Sequence, residues 1–178
     1  RLVDTLSASL AEGLLVIKAV ESRAEGLSLD ETADRLLESR HRMCQVFTVG
    51  NLKYLKRGGR ISNLKAAVGT VLQIKPLLKG DPEGKIVCFG QVRGRKKSIE
   101  MMAEQYDRYA ENAEAGTIGI AHADCPEDAE ALIALLNRSH PPKNVILACY
   151  EPMTGAHVGP DALALFFYGK KEFRPAMK

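Results

Sequence analysis

The apolar positions change period along this chain, and each change marks an element. Leu14 to Val20 are apolar residues except for Lys18. They predict a helix capped by Ser7 or Ser9, buried across residues 14–20 except at Lys18, and stopped by Gly26. "SLDE" pairs Ser28 with Glu31 three residues on, a capping box that opens a second helix with Ala33, Leu36 and Leu37 inward. "CQVFTVG" is a short β-rich run ended by Gly50. Asn51 can cap a third helix with Leu52 and Leu55 on one face, and Gly58-Gly59 ends it because glycine accepts the left-handed conformation of a helix terminus. After a loop of Arg60, Ile61 and Ser62, the positions Leu64, Ala67, Val68, Val71 and Leu72 fall at i, i+3, i+4, i+7 and i+8 and predict a helix with one apolar face.

Past Lys75-Pro76 the period shortens to two. "LLKGDPEGKIVCFGQVR" predicts a β-hairpin turning at Gly80-Asp81-Pro82-Glu83-Gly84. An amphipathic helix follows through Ile99, Met102, Ala103, Tyr106 and Ala110, then a strand in "TIGIAHA". Asp124, Pro126 and Glu127 open a helix to about Ser139, and "NVILACYE" is another strand. "MTGAHVGPDALALFFYGK" reads as a Gly-rich loop holding His157, followed by a last apolar strand. Helices and strands alternate irregularly without internal repeat, which gives an α/β or α+β fold class.

Composition narrows the function classes. With 46% hydrophobic and 26% charged residues in 178, the chain can bury one substantial core or two small ones. The net charge of +3 demands no general nucleic-acid footprint, although Lys and Arg cluster at residues 53–65 and 93–97. Cys44, Cys88, Cys125 and Cys149 are widely spaced without a CxxC pair or a secretory leader, so reduced thiols in a cytoplasmic protein are expected, with no metal site. No apolar run approaches the roughly 20 residues that span a bilayer. The chain starts without Met, on what reads as the tail of a strand, and a fragment lacking its upstream part is expected.

No GxGxxG, P-loop, GxSxG or HExxH occurs, which weighs against a stand-alone enzyme. The polar candidates are Arg60 after the glycine pair, Arg93 and Arg95 in "QVRGRKK", and His157 between Gly155 and Gly159. An Arg after a helix-ending glycine pair often only bonds orphan carbonyls, and a lone His is more often structural than catalytic. Cations at a helix start oppose the dipole, however, which favours a retained role such as binding an anionic partner. Glycines flanking a histidine let backbone approach a ligand closely.

In order and spacing, "VDTLSAS", "LKYLKRGGRIS", "GTVLQIKPLL", "GKIVCFGQVRGRKKS" and "GAHVGPDALALFFYG" resemble the successive motifs of the DegV family of bacterial fatty-acid-binding proteins, over residues 3–169. The resemblance implies the end of an N-terminal α/β domain in residues 1–50 and a lipid-binding domain in residues 51–178. It implies a carrier with no cofactor, which binds a long-chain fatty acid and presents its carboxylate to a separate ATP-dependent fatty acid kinase subunit. The resulting acyl-phosphate feeds phospholipid synthesis. On this likeness His157 matches the histidine at the carboxylate, with Gly155, Ala156 and Gly159 around it and Arg60 near the acyl-phosphate. Arg93 and Arg95 match the kinase-docking face, and Leu64, Val68, Val71, Leu72, Leu77 and Phe166 are the expected tunnel lining. The expected partners exclude nucleic acid and leave room for transient contact with a membrane surface. Two positions depart from the pattern. Ala156 stands where the family has a small hydroxyl residue, and the family's Thr and Ser contacts to the carboxylate belong to an upstream segment.

Two other readings compete. A nucleic-acid module would use Lys53, Lys56, Arg57, Arg60, Arg93, Arg95, Lys96 and Lys97, but lacks interleaved aromatics for base stacking. A hydrolase or transferase would use His157 as base, but no nucleophile motif accompanies it.

Overall fold

The computed structural model describes residues 1–59 and 73–175. The expected loop at Arg60 and the helix carrying Leu64, Val68, Val71 and Leu72 lie outside the described residues. In chain order the elements are α1 (Leu10–Ala24), α2 (Leu29–Ser39), β1 (Met43–Thr48), α3 (Lys53–Arg57), β2 (Ile74–Gly80), β3 (Ile86–Arg93), α4 (Arg95–Tyr109), β4 (Thr117–His122), α5 (Pro126–Ser139), β5 (Asn144–Cys149), α6 (Pro152–Val158) and β6 (Leu163–Tyr168). Among the described residues the six strands form one sheet in the order β3-β2-β1-β6-β4-β5. Every pairing is antiparallel except β4 with β5, the two strands joined through α5 as a crossover requires. The mixed α/β class expected from the alternating periods is the class observed. The residue-50 division falls just after β1, which is hydrogen-bonded on one side to β2 and on the other to β6.

Alternation along β1 and β6 divides the sheet's two faces. Cys44, Val46, Leu163, Leu165 and Phe167 enter the main core under α4 and α5, where they meet Met102, Tyr106, Leu132 and Leu136. Tyr106 meets Phe167 edge-on, with ring centroids 5.1 Å apart. On the opposite face α1 lays Ala11, Leu14 and Leu15 against Ala121, Ala164 and Phe166. β6 is therefore covered on both sides, which is why "LALFFY" is continuously apolar rather than alternating. Gly119 lets α1 approach β4 closely, since a Cβ there would lie 2.8 Å from Leu10 Cβ.

Several expectations are corrected. Residues 14–20 are not uniformly buried: Val16 and Val20 are 58% and 63% exposed. They sit four apart on the outer face of α1, while Ala11, Leu14 and Leu15 face the sheet. Residues 1–8 form no strand. The expected loop around His157 contains α6, because Glu151 caps it through the Thr154 N–H at 2.9 Å, Pro152 occupies its first turn, and Gly159 ends it at φ +77°. Gly159 also faces the Tyr54 ring, leaving no room for a Cβ. The Ser28–Glu31 capping box is present on both its bonds. All four cysteines are unpaired. Burial raises the thiols of Cys44, Cys88 and Cys125 above their ordinary range, whereas Cys149 is exposed at the end of β5.

One buried cation gives the fold a pH signature. Lys79, on β2, is 2% exposed and donates to the carbonyls of Phe173 and Arg174. Desolvation lowers its pKa from 10.5 to about 8, against the smaller raising effects of Cys44 and Asp81. Between those values the unfolded chain binds the proton and the native chain does not, so stability rises with pH and is lost as pH falls through about 8. In thermal melts between pH 8 and 9 Lys79 should contribute a gain of about 1 kcal/mol per pH unit at most, opposed in the same window by the buried thiols of Cys44, Cys88 and Cys125, whose unfolded forms begin to ionise there. Lys79→Met should remove that gain and lower the slope by the same amount relative to the parent. An unchanged slope in the variant would assign it to other groups.

Candidate functional site

The face of the sheet not covered by α4 and α5 has two parts. α1 occupies one, and the other opens into a cavity of about 570 Å³. Its floor is built by the register of β1 with β6, which sets Gln45 opposite Phe166 and Phe47 opposite Ala164 with all four side chains on one face. Ser7, Ala8 and Ser9, leading into α1, form one wall. Gly84, Lys85 and Ile86 of the β2–β3 hairpin form a second, and Tyr150, Thr154, Val158 and Gly59 close the third.

The polar groups of the wall are individually held. Arg174 Nη2 donates to Ser7 Oγ at 2.9 Å. Tyr150 has the Ser9 hydroxyl as a hydrogen-bonding neighbour, and its own pKa is raised to about 12, chiefly by burial. The N-terminal wall carries backbone strain at its two ends, Leu6 at φ 50° and Ser9 at φ 60°. Ser9 precedes α1 as its cap residue but makes no side-chain cap bond. The Glu151 carboxylate, which caps α6, is held below the usual carboxylate range first by Thr154, with a smaller contribution from His157.

His157 lies on α6 beside the cavity-facing stripe. Thr154 and Val158, four apart, point into the cavity, and His157 projects from the adjacent face toward α3. A Cβ built on Gly58 would lie 2.6 Å from His157 Nδ1, so the absence of a side chain at Gly58 is what admits the imidazole. His157 and Ala156 are exposed, and Gly155, with open space where a Cβ would stand, sits mid-helix without a close approach. The structure thus brings His157 to the cavity's edge next to Gly58 and Gly59, and Arg60 follows directly outside the described residues.

The remaining expected residues separate. Phe166 lines the cavity. Leu77 does not: it faces the other way, 1% exposed in the α4–α5 core, while its neighbour Leu78 turns to the cavity side with Val49 and Leu55. Arg93 ends β3 exposed, and among the described residues it forms no ion pair. Arg95 is instead drawn inward, its Nε 2.8 Å from Asp128 Oδ2 and its Nη2 3.5 Å from Cys125 Sγ. That pairing ties α4 to α5 and leaves Arg95 poorly disposed for docking. Lys97 is shared between Glu100 and Glu104. Of the basic residues in the nucleic-acid reading, Arg95 and Lys97 are thus engaged with carboxylates and do not add to a free charged face.

Gln45, Tyr150, Thr154, Lys85 and the Ser7–Ser9 wall are cavity residues that the sequence reading did not single out. A signal existed for Gln45, a polar residue at the alternating position of an otherwise apolar strand. Ser7 and Ser9 were visible as caps and within the "VDTLSAS" motif, not as cavity residues. Among the described residues no group of three metal-ligating side chains comes together, and no described helix is long and apolar enough to cross a membrane.

Comparison with known proteins gives one consistent answer. The family model described as "Uncharacterised protein, DegV family" matches residues 1–170. A DegV domain-containing protein of Clostridium perfringens is 40% identical over 169 residues, covering 95% of this chain and 58% of that protein. The fold is similar to that of a fatty-acid-binding DegV family protein from Thermus thermophilus, at 30% identity and TM-score 0.86, covering 96% of this chain and 61% of that one. It is also similar to the fatty-acid-binding DegV family protein SAG1342 from Streptococcus agalactiae, at 29% identity and TM-score 0.84, covering 96% and 60%. The chain thus spans about three-fifths of the length of these relatives. With its fold shared and nearly its whole length matched, this chain belongs to the DegV family.

Proposed function

We propose that this chain binds a long-chain fatty acid in the cavity between the sheet and α6, and that its protein presents the carboxylate to a separate ATP-dependent kinase subunit in the cytoplasm. The observation that carries the reading is the cavity itself. At about 570 Å³ it falls in the range of small-ligand pockets, roughly 300–1,000 Å³. It has an apolar floor of Phe47, Ala164 and Phe166 and a few convergent polar groups on its walls. About 15 methylenes at ~0.8 kcal/mol each supply roughly 12 kcal/mol before ordering costs. The Thermus and Streptococcus relatives are described as fatty-acid-binding, which supports the same ligand class here. In this reading residues 51–178 supply most of the lipid site, Arg60 and His157 serve the head group, and residues 64–72 add tunnel wall.

Presentation to a kinase is carried by the motif resemblance and by the exposure of Arg93 beside Lys96, while Arg95 stays engaged with Asp128. An exposed arginine meets a carboxylate or phosphate with its planar fork, and as a rim charge it acts mainly on encounter.

Denaturing extraction of freshly purified protein followed by mass spectrometry should release a fatty acid at near one per chain. Fatty acid added to delipidated protein at about 100 times its Kd should raise Tm by roughly 5–10 °C. The absence of both bound lipid and a shift would refute the carrier reading.

His157→Ala should weaken binding of the acid about 5- to 150-fold, the cost of leaving a buried anion short of a partner. The methyl ester of the same chain should lose much less. Equal losses would make the imidazole a packing element between α6 and Gly58.

Arg93→Ala should leave lipid affinity nearly intact and slow acyl-phosphate formation with the kinase subunit, more so at low salt. Turnover equal to the parent's at both salt concentrations would remove Arg93 from the docking face.

A further inference from the structure

The two edges of the sheet are built differently. β3, the edge beyond β2, is interrupted: its register shifts opposite Leu77 and Leu78, and it ends on the exposed Arg93. A bulge and a charge are devices that keep an edge strand from pairing with another chain. β5, the edge beyond β4, has neither. "NVILAC" contains no charge and no proline, and its pairing with β4 runs unbroken from Asn144 to Cys149. Among the described residues no strand lies on its outer side. Leu147, near its middle, is 45% exposed.

The hydrogen bonds at the two ends of β5 fix which groups face outward. The Asn144 N–H donates to Gly116 O and the Tyr150 N–H to His122 O, both toward β4. By the alternation of a strand, the odd residues Val145, Leu147 and Cys149 turn their N–H and C=O groups away from the sheet. A second copy of the same edge satisfies these groups when odd residues meet odd residues. Antiparallel pairing about a twofold axis at Leu147 does so, because Leu147 then faces its own copy and Val145 faces the partner's Cys149. The same axis matches the charges. Lys143 and Glu151, both exposed, stand four residues before and four after Leu147, so each Lys143 comes opposite the partner's Glu151. A register shifted by two residues keeps the backbone bonds and loses both the leucine contact and the charge match.

We infer that β5 is the contact edge for a second copy of this chain, the two β5 strands pairing antiparallel about a twofold axis at Leu147. The two Leu147 side chains cover each other, and the two sheets become one. Val145, Leu147 and Cys149 line no part of the cavity, so the pairing is independent of what the cavity binds.

Sedimentation equilibrium of the full-length protein should show a weight-average mass rising from one chain toward two between about 1 and 300 µM, the behaviour of an interface at the small, transient end of the size range. Leu147→Lys sets like charges against each other at the axis, and Leu147→Pro removes an outward donor without touching the bonds to β4. Each should weaken the dimer at least about ten-fold. Lys143→Glu should weaken it as well, and adding Glu151→Lys to the same chain should restore it, more so at low salt. The register has its own readout, which stands even if Glu151→Lys disturbs α6. Leu147→Cys in a Cys149→Ser background should form a disulfide-linked dimer under mild oxidation, since an opposed hydrogen-bonded pair sets its Cα atoms about 5.5 Å apart, within disulfide range. The parent's Cys149, opposite Val145, should not cross-link. A full-length protein that stays monomeric throughout that range overturns the inference, whatever else covers the edge. A dimer that Leu147→Lys and Leu147→Pro leave intact, or one that cross-links through the parent's Cys149 and not through position 147, overturns it too.

Discussion

The pairing of β1 with β6 is the constraint on which the rest of the molecule depends. Six consecutive partners, from Met43 with Tyr168 to Thr48 with Leu163, fix which side chains face which side. Even positions of β1 and odd positions of β6 face the α4–α5 side, and of the others Gln45, Phe47, Ala164 and Phe166 make the cavity floor while Met43 and Tyr168 pack with α1. A slip of one residue would turn Phe167 out of the core and Phe166 into it, so the core and the cavity floor are settled by one register. The central position of these strands explains the economy. A strand flanked on both sides and covered on both faces has little freedom to shift its pairing.

Much of this was legible in the sequence where the physics is local. The Ser28–Glu31 box, the Gly80–Gly84 turn and the periodic run through Ile99, Met102, Ala103 and Tyr106 all act within a few residues, and each lies where the pattern put it. The misses arise where neighbours distant in sequence decide. Val16 and Val20 are as apolar as Leu14 and Leu15, and only the position of the sheet beneath α1 separates inside from outside. Leu77 and Leu78 are chemically identical, and the pleat alone sends one to the core and the other toward the cavity. For α6, the signals were present as Glu151, Pro152 and Gly159, but the density of small residues spoke for a loop.

The candidate site was less legible than the fold, for a related reason. His157 stood out because of its glycine neighbours, yet the glycine that admits its ring is Gly58, a hundred residues earlier. Arg93 and Arg95 look equivalent in "RGR", and their difference comes from Asp128 on another helix. The N-terminal wall of the cavity depends on Arg174 at the far end of the chain, a contact no local pattern encodes. Sites assembled from remote segments show themselves in sequence only through residues whose local chemistry is already unusual.

The unequal burial of the four thiols has a practical consequence. Three are withdrawn into the protein with their ionisation suppressed, and a mild alkylating dye at neutral pH should find the exposed Cys149 first. That residue adjoins Tyr150, whose ring lies on the cavity wall. The native chain therefore carries its own attachment point for an environment-sensitive fluorophore one residue from the cavity wall, and a change in the cavity can be followed optically without engineering a cysteine into the protein or removing one from it.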